Sequence, residues 1–193
     1  ERRIAARIVS EKFGHAEVVL ALMEPFGVNP ELYVREHCWT ARLDRDLDLG
    51  NRRVGGDRRL NVFHYPIDGW TDAVTFNWLM STASAIQLEE LAQCSYVPLA
   101  EAMVGIVARE AAHAAQGEAG LAQAIARSGS RMAAQTSVAY WRPRVAAGFG
   151  RTDSDRFALY AGYGLRRCSN AELLARWVAA VSPRLAERGL STT

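Results

Sequence analysis

Apolar side chains recur at helical spacing along most of this chain. Over residues 1–27 the apolar positions are supplied by Ile4, Ile8, Phe13, Val19 and Leu20. No proline interrupts them before Pro25, so a first helix is predicted that stops at Gly27. Residues 29–31 (Asn, Pro, Glu) form a helix start signal and predict a short helix to about Thr40. Because strand-like alternation of β-branched residues is nearly absent, no strands are expected.

Two long helices are predicted in the middle of the chain. The first covers about 71–93, keeps one apolar stripe, and has Thr71 and Asp72 as its expected cap. A turn at 95–98 separates it from the second, which covers about 99–127. The sequence therefore predicts a helical hairpin.

Further helices are predicted towards the end of the chain. One covers about 131–147, and a loop follows at 148–155. The last begins at Ser169, which has Glu172 three residues later in the pattern of a capping box. Together the elements predict one all-α domain over residues 1–193, a helical bundle.

An Arg- and Asp-rich segment interrupts this pattern at about 42–60. It contains six Arg, four Asp and three Gly, which predicts an exposed loop or lid rather than a core element. A surface loop with Arg–Asp ion pairs is the favoured interpretation. The alternative is a basic clamp for the phosphates of a ligand such as CoA, since guanidinium groups pair well with phosphate. The clamp would consist of Arg52, Arg53, Arg58 and Arg59.

Composition narrows the classes of function. Hydrophobic residues make up 49% and charged residues 23% of the 193, as in ordinary globular proteins, and a net charge of +2 does not indicate nucleic-acid binding. The three Cys are far apart and form no C-x-x-C pair, so neither a zinc knuckle nor a disulfide framework is expected. This use of cysteine favours a reducing compartment, and we expect a cytoplasmic location. No apolar run is long enough for a membrane span, and there is no haem or nucleotide motif.

Glu110 and His113 are the strongest chemical signal. A Glu and a His three residues apart lie on one face of a helix, which is how bundle helices present ligands to a buried iron. The pair alone is weak evidence, since this spacing is common by chance. The strongly apolar residues 103–107 that precede it favour a buried site.

A second candidate ligand group lies in the first helix. Glu11 comes four residues before His15 and shares roughly one helix face with it. The position three before His15, where a di-iron site would want a Glu, holds Lys12. Glu11, His15, Glu110 and His113 are therefore the candidate metal ligands.

Geometry predicts which residue faces Glu110. In an antiparallel hairpin that turns near Ser95, residues equally far from the turn lie at equal depth, and this places Ser81 opposite Glu110. A serine there cannot replace a chelating carboxylate. Glu89 and Glu90 lie nearer the turn, and we expect them to be surface or second-site acids.

Five segments follow one another along the chain: EKFGH, FHYPIDGWTDAVTFNWLM, CSYVPLAEAMVGIVAREAAHAAQGEAG, YWRP and SNAELLARWVAAVSPRLAERGL. In them the chain resembles the phenylacetic acid catabolic family, in particular the catalytic A subunit of phenylacetyl-CoA epoxidase. The resemblance implies a ferritin-like helical bundle. It also implies a di-iron monooxygenase that epoxidises the aromatic ring of a CoA thioester together with a structural subunit of the same fold and a reductase.

The resemblance also assigns individual positions. His15 matches the His of the family's first Glu-x-x-His motif, and Glu110 and His113 match the second. Lys12 stands where the family has a Glu, and Ser81 where it has an Asp. A further family Glu would come from a helix upstream of this sequence, which opens without a Met.

These departures leave three hypotheses. In the first, an ion pair between Lys12 and Glu110 takes the space of an iron, and the chain is a metal-poor structural, regulatory or acyl-CoA-binding family member. In the second, it is an active non-haem iron monooxygenase that holds one or two irons on the four candidate ligands. In the third, it is a helical interaction module without a link to oxygenation.

Partners follow from the implied fold. Subunits of this kind bury large helical faces against one another, so we expect a homodimer or a hetero-oligomer with related helical subunits. An aromatic acyl-CoA is the expected small-molecule ligand. Neither nucleic acid nor a membrane is expected as a partner.

Overall fold

The computed structural model describes residues 2–30, 33, 43–51, 60–129 and 131–191. Within these residues the regular structure is helical, and no strand occurs. The prediction of an all-α helical bundle is therefore confirmed. No helix in the described part is both long and apolar enough to cross a membrane.

Six α-helices lie in the described part of the chain: α1 (Arg2–Met23), α2 (Gly69–Leu91), α3 (Val97–Ser128), α4 (Met132–Ala146), α5 (Phe157–Gly162) and α6 (Asn170–Glu187). Short 3-10 turns follow or precede them at Glu24–Phe26, Asn61–His64 and Ala147–Phe149. The helix predicted to end near Thr40 lies mostly outside the described residues. Helix α5 was not predicted.

Helices α2 and α3 form the predicted antiparallel hairpin at very close range. A Cβ added to Gly117 would lie 2.5 Å from the backbone nitrogen of Trp78, and one added to Gly120 would lie 2.7 Å from Cγ1 of Val74. Residue numbers rise along α3 as those of the contacted residues fall along α2, which fixes the antiparallel direction. Glycine therefore lets the two backbones approach.

The main core lies between α2, α4 and α6. Trp141 and Trp177 are fully buried, and the indole Nε1 of Trp177 donates to the carbonyl of Leu79 at 3.1 Å. Helix α1 contributes no buried residue and lies on α3 with its inner face half-buried.

The predicted cap of α2 is wrong, whereas that of α6 is confirmed. Helix α2 begins at Gly69, and Asp72 is buried in its first turn. Its carboxylate accepts hydrogen bonds from the Asp68 amide, Arg45 and Ser137, so it joins three segments rather than capping one helix. At α6 the Ser169–Glu172 capping box is present.

The first half of the Arg- and Asp-rich segment is fixed on the bundle. Nη1 of Arg45 lies 2.6 Å from Oδ2 of Asp72, and Arg144 donates to the carbonyl of Leu47 at 2.9 Å. None of residues 43–51 is buried, as expected for a loop outside the core, but the prediction missed that the buried residues Asp72 and Arg144 fix this segment. Its proposed phosphate ligands, Arg52, Arg53, Arg58 and Arg59, lie outside the described residues.

Candidate functional site

Helices α1, α2 and α3 bring Lys12, Ser81 and Glu110 together. The ammonium of Lys12 donates to Oε2 of Glu110 and, at 3.2 Å, to Oγ of Ser81. Glu110 and Ser81 are both buried, while 36% of the Lys12 side chain is exposed. The predicted proximity of Ser81 to Glu110 is confirmed, and so is the predicted ion pair.

Two histidines meet the same carboxylate. Nδ1 of His15 lies 3.1 Å from Oε1 of Glu110, and Nδ1 of His113 lies 3.5 Å from that oxygen. The two imidazole rings are stacked with 6.0 Å between their centroids. His15, Glu110 and His113 therefore converge inside the bundle.

The carboxylates determine which nitrogen of each histidine donates. An ionised carboxylate only accepts hydrogen bonds, so Nδ1 of His15 donates to Glu110. By the same argument Nε2 of His113 donates to Glu11, whose Oε2 lies 2.6 Å away. In the neutral ring Nδ1 of His113 then carries no proton, and within the described residues this buried nitrogen has no hydrogen bond.

Glu11 contacts the opposite edge of the His113 ring from Glu110. Its carboxylate is also bound by Arg109, whose Nε lies 3.2 Å away, and Arg7 lies 3.6 Å from it. Hydrogen bonds from Arg109 and then from His113 lower the pKa of Glu11 to about 2. Glu11 therefore orients His113, as carboxylates often orient the histidines of a buried site.

A cavity of about 560 Å³ opens beside this network. Lys12, His15, Ser81 and Glu110 form its polar end. The remaining wall is mainly apolar and includes Leu60, Phe63, Phe76, Met80, Leu88 and Ile106. Such a space suits a ligand with an apolar body and one polar group.

The donor set does not fit a di-iron centre. One oxygen of Glu110 is bonded to an ammonium, and Ser81 supplies a hydroxyl where a carboxylate would be needed. Within the described residues, no group of three or more His, Cys, Asp or Glu side chains is arranged to hold a metal ion.

The sequence analysis missed two residues of the network, Asn77 and Arg109. Nδ2 of Asn77 donates to the carbonyl of His113 at 2.8 Å, and Oγ of Ser81 lies 3.5 Å from Oδ1 of Asn77. Asn77 is four residues before Ser81, so its shared helix face could have revealed it. Arg109 could not be found in this way, because its contact with Glu11 crosses between helices.

We expected Glu90 to be a surface or second-site acid, and a surface position is wrong. Glu90 is buried, and its Oε1 accepts hydrogen bonds from the backbone amides of Arg167 and Cys168, the latter at 2.7 Å. Burial alone would raise its pKa, but these two hydrogen bonds lower it overall. Glu90 therefore anchors the loop before α6. Glu89 is exposed, as expected.

The fold and the site define a class of protein: an all-α bundle with a buried carboxylate–histidine centre between three helices. The family model of the phenylacetic acid catabolic protein matches residues 1–192. The chain belongs to this family, and it therefore takes part in phenylacetic acid catabolism. A comparison with curated proteins finds no match.

Proposed function

We propose that this chain is a metal-poor member of its family that binds an aromatic acyl-CoA in the cavity beside Lys12 without oxygenating it. The observation that carries the proposal is the ion pair between Lys12 and Glu110, with Ser81 as the second acceptor of the ammonium. A lysine and a serine thus stand where the family resemblance implies two acidic ligands.

Charge explains why this arrangement opposes iron. A pair of ferrous ions needs carboxylates that neutralise and bridge it. Replacing one carboxylate by an ammonium makes the centre more positive and occupies an oxygen of Glu110. An iron would have to displace Lys12 and leave an uncompensated cation next to it, which is costly in a partly buried site.

The shape of the cavity supports an aromatic acyl ligand. Phe63 and Phe76 meet edge to face in its wall, with 6.3 Å between ring centroids, and a third ring would extend this cluster favourably. The polar end at Lys12 suits the thioester carbonyl. Binding of the CoA phosphates by Arg52, Arg53, Arg58 and Arg59 stays a prediction.

An assembly with a second helical subunit is part of the proposal. Phe13 is 68% exposed and Val9 54% exposed on α1, and Val104 is 65% exposed on α3. Exposed apolar side chains on neighbouring helices suit a subunit interface. A homodimer and a hetero-oligomer with a related subunit both satisfy this, and sedimentation analysis of the protein alone distinguishes them.

Metal analysis tests the proposal. The purified protein, reconstituted anaerobically with ferrous iron, should retain none after desalting. The Lys12→Glu plus Ser81→Asp variant restores two acids and should retain iron, while an Arg3→Glu plus Thr82→Asp variant controls for added negative charge. Two irons per chain in the parent protein would overturn the proposal.

One observation favours a second candidate function, a mononuclear non-haem iron monooxygenase. Nδ1 of His113 is buried without a hydrogen bond, and His15 and Glu110 lie beside it. Two histidines and one carboxylate form a known iron-binding set, but these three are not arranged to hold a metal ion as they stand, so an iron would have to displace Lys12 and reorient them. Retention of one iron per chain by the parent protein, lost in His113→Ala, would support this candidate instead.

A further inference from the structure

Two polar groups at the cavity have unused hydrogen-bonding capacity. Within the described residues, Nε2 of His15 has no partner, although Nδ1 of the same ring is bonded to Glu110. The ammonium of Lys12 has three donors and uses two of them, on Glu110 and Ser81. Both side chains line the cavity, so both groups are available to a ligand there.

The pair of Glu110 and His15 has the geometry of an oriented base. In the neutral ring, Nδ1 of His15 donates to the carboxylate and Nε2 carries the lone pair. A carboxylate that fixes the tautomer and orientation of an imidazole is the arrangement by which enzymes prepare a histidine to accept a proton. Lys12 adds a cation beside it, suited to an oxygen that becomes negative during a reaction.

Water can reach this base. The side chain of His15 is 19% exposed and that of Lys12 is 36% exposed. The polar end of the cavity, which these two side chains line, is therefore in contact with solvent. A thioester whose apolar acyl group fills the cavity would thus present its carbonyl to Lys12 and to a water molecule at His15.

We propose that the site hydrolyses the aromatic acyl thioester that it binds. Nε2 of His15 takes a proton from water, and the oxygen forms a bond to the thioester carbonyl carbon. The carbonyl oxygen becomes negative next to the ammonium of Lys12. The C–S bond then breaks, and the thiolate leaves with the proton held by His15. One thioester and one water give one carboxylic acid and one thiol, without an oxidant. This inference rests on the proposed function.

Release of the CoA thiol from phenylacetyl-CoA, measured with a thiol reagent in the absence of iron and reductant, tests the activity. The parent protein should release thiol in proportion to its concentration. His15→Gln keeps an amide donor for Glu110 but has no basic nitrogen, and it should lower the rate about 100-fold or more. Lys12→Met should lower it as well. The exposed pair variant Asp153→Asn should not change it.

A non-hydrolysable ligand separates the two proposals. The ketone analogue of phenylacetyl-CoA, in which CH2 replaces the thioester sulfur, should bind the parent protein and His15→Gln with similar affinity in calorimetry. If the analogue binds but no thiol is released above the buffer rate, hydrolysis is refuted and the binding function stands. If the analogue does not bind at all, both are refuted. Equal rates for the parent and a folded His15→Gln protein would also refute the role of His15.

Discussion

Nζ of Lys12 and Oγ of Ser81 lie 3.2 Å apart, although 69 residues separate them in the chain. Lys12 and Ser81 stand at the two positions where the family resemblance implies an acid, and here a hydrogen bond joins them. The replacement of one acid by a cation and of the other by a neutral acceptor is therefore compensated within the site. Glu110 supplies the negative charge that the ammonium requires.

Replacing Lys12 should destabilise the protein. Lys12→Met keeps most of the apolar stem but leaves the carboxylate of Glu110 buried without its cation. Because Lys12 is partly exposed and His15 remains beside Glu110, we expect a loss of about 1–3 kcal/mol in the free energy of unfolding, below the range for a fully buried pair. Chemical denaturation measures it. Arg3→Met, at an exposed position of the same helix, should cost little, and an equal loss in both variants would contradict the role of the ion pair.

The part of this site that was predictable is the part set by helix geometry. Glu110 and His113 share a face because they are three residues apart, and Ser81 could be placed by counting from the turn near Ser95. The contacts of Glu11 could not be placed in this way. They depend on how α1 is rotated against α3, and that rotation is decided by packing.

Polar residues that join distant segments were also unpredictable. In the sequence Asp72 resembles a helix cap, because only its neighbours along the chain can be seen there. Its hydrogen-bond donors Arg45 and Ser137 are distant in the chain and come close only in the fold. Glu90 resembles a surface acid for the same reason. Its partners are backbone amides of residues 167 and 168, and an amide donor leaves no mark in the sequence.

Gly117 should be far less tolerant of a methyl group than Gly105, which lies on the same helix. The Cβ of Gly117→Ala would lie 2.5 Å from the backbone nitrogen of Trp78, so α2 and α3 must separate. We expect a loss of about 1–3 kcal/mol. A Cβ at Gly105 meets nothing within 4 Å, so Gly105→Ala should stabilise by up to about 1 kcal/mol. Thermal unfolding of the two variants compares them directly, and a stable Gly117→Ala protein would contradict the close approach of the helices.

The capping box should be worth a measurable part of the stability of α6. Oγ of Ser169 accepts from the amide of Glu172, and Ser169→Ala removes this bond. We expect a loss of about 1 kcal/mol in urea denaturation. Thr152→Ala, in the exposed loop before α5, is the matched control and should leave the midpoint unchanged. A similar midpoint for both variants would show that the cap contributes nothing.

Asp72 should give the fold part of its sensitivity to acid. Burial alone would raise the pKa of Asp72, but hydrogen bonds from Arg45, Ser137 and the Asp68 amide lower it below its ordinary value of 3.8. A carboxyl whose folded pKa is lowered stabilises the fold above its unfolded pKa, and this contribution is lost as the pH falls through the folded value. Asp72→Asn should therefore cost about 2–4 kcal/mol at pH 7, since it leaves Arg45 without its anion.

The same variant should lose its disadvantage in acid. The parent carboxyl becomes neutral only below its folded pKa, which lies under the ordinary 3.8, so the free energies of unfolding of the parent and Asp72→Asn should converge as the pH falls through that value. Urea denaturation at steps from pH 7 to pH 2.5 measures both curves. Asp153 forms a fully exposed ion pair with Arg151, so Asp153→Asn should run close to the parent curve throughout. A constant gap between the parent and Asp72→Asn at all pH values would mean that the charge of Asp72 contributes nothing, and that the buried hydrogen bonds alone hold residues 43–51 on the bundle.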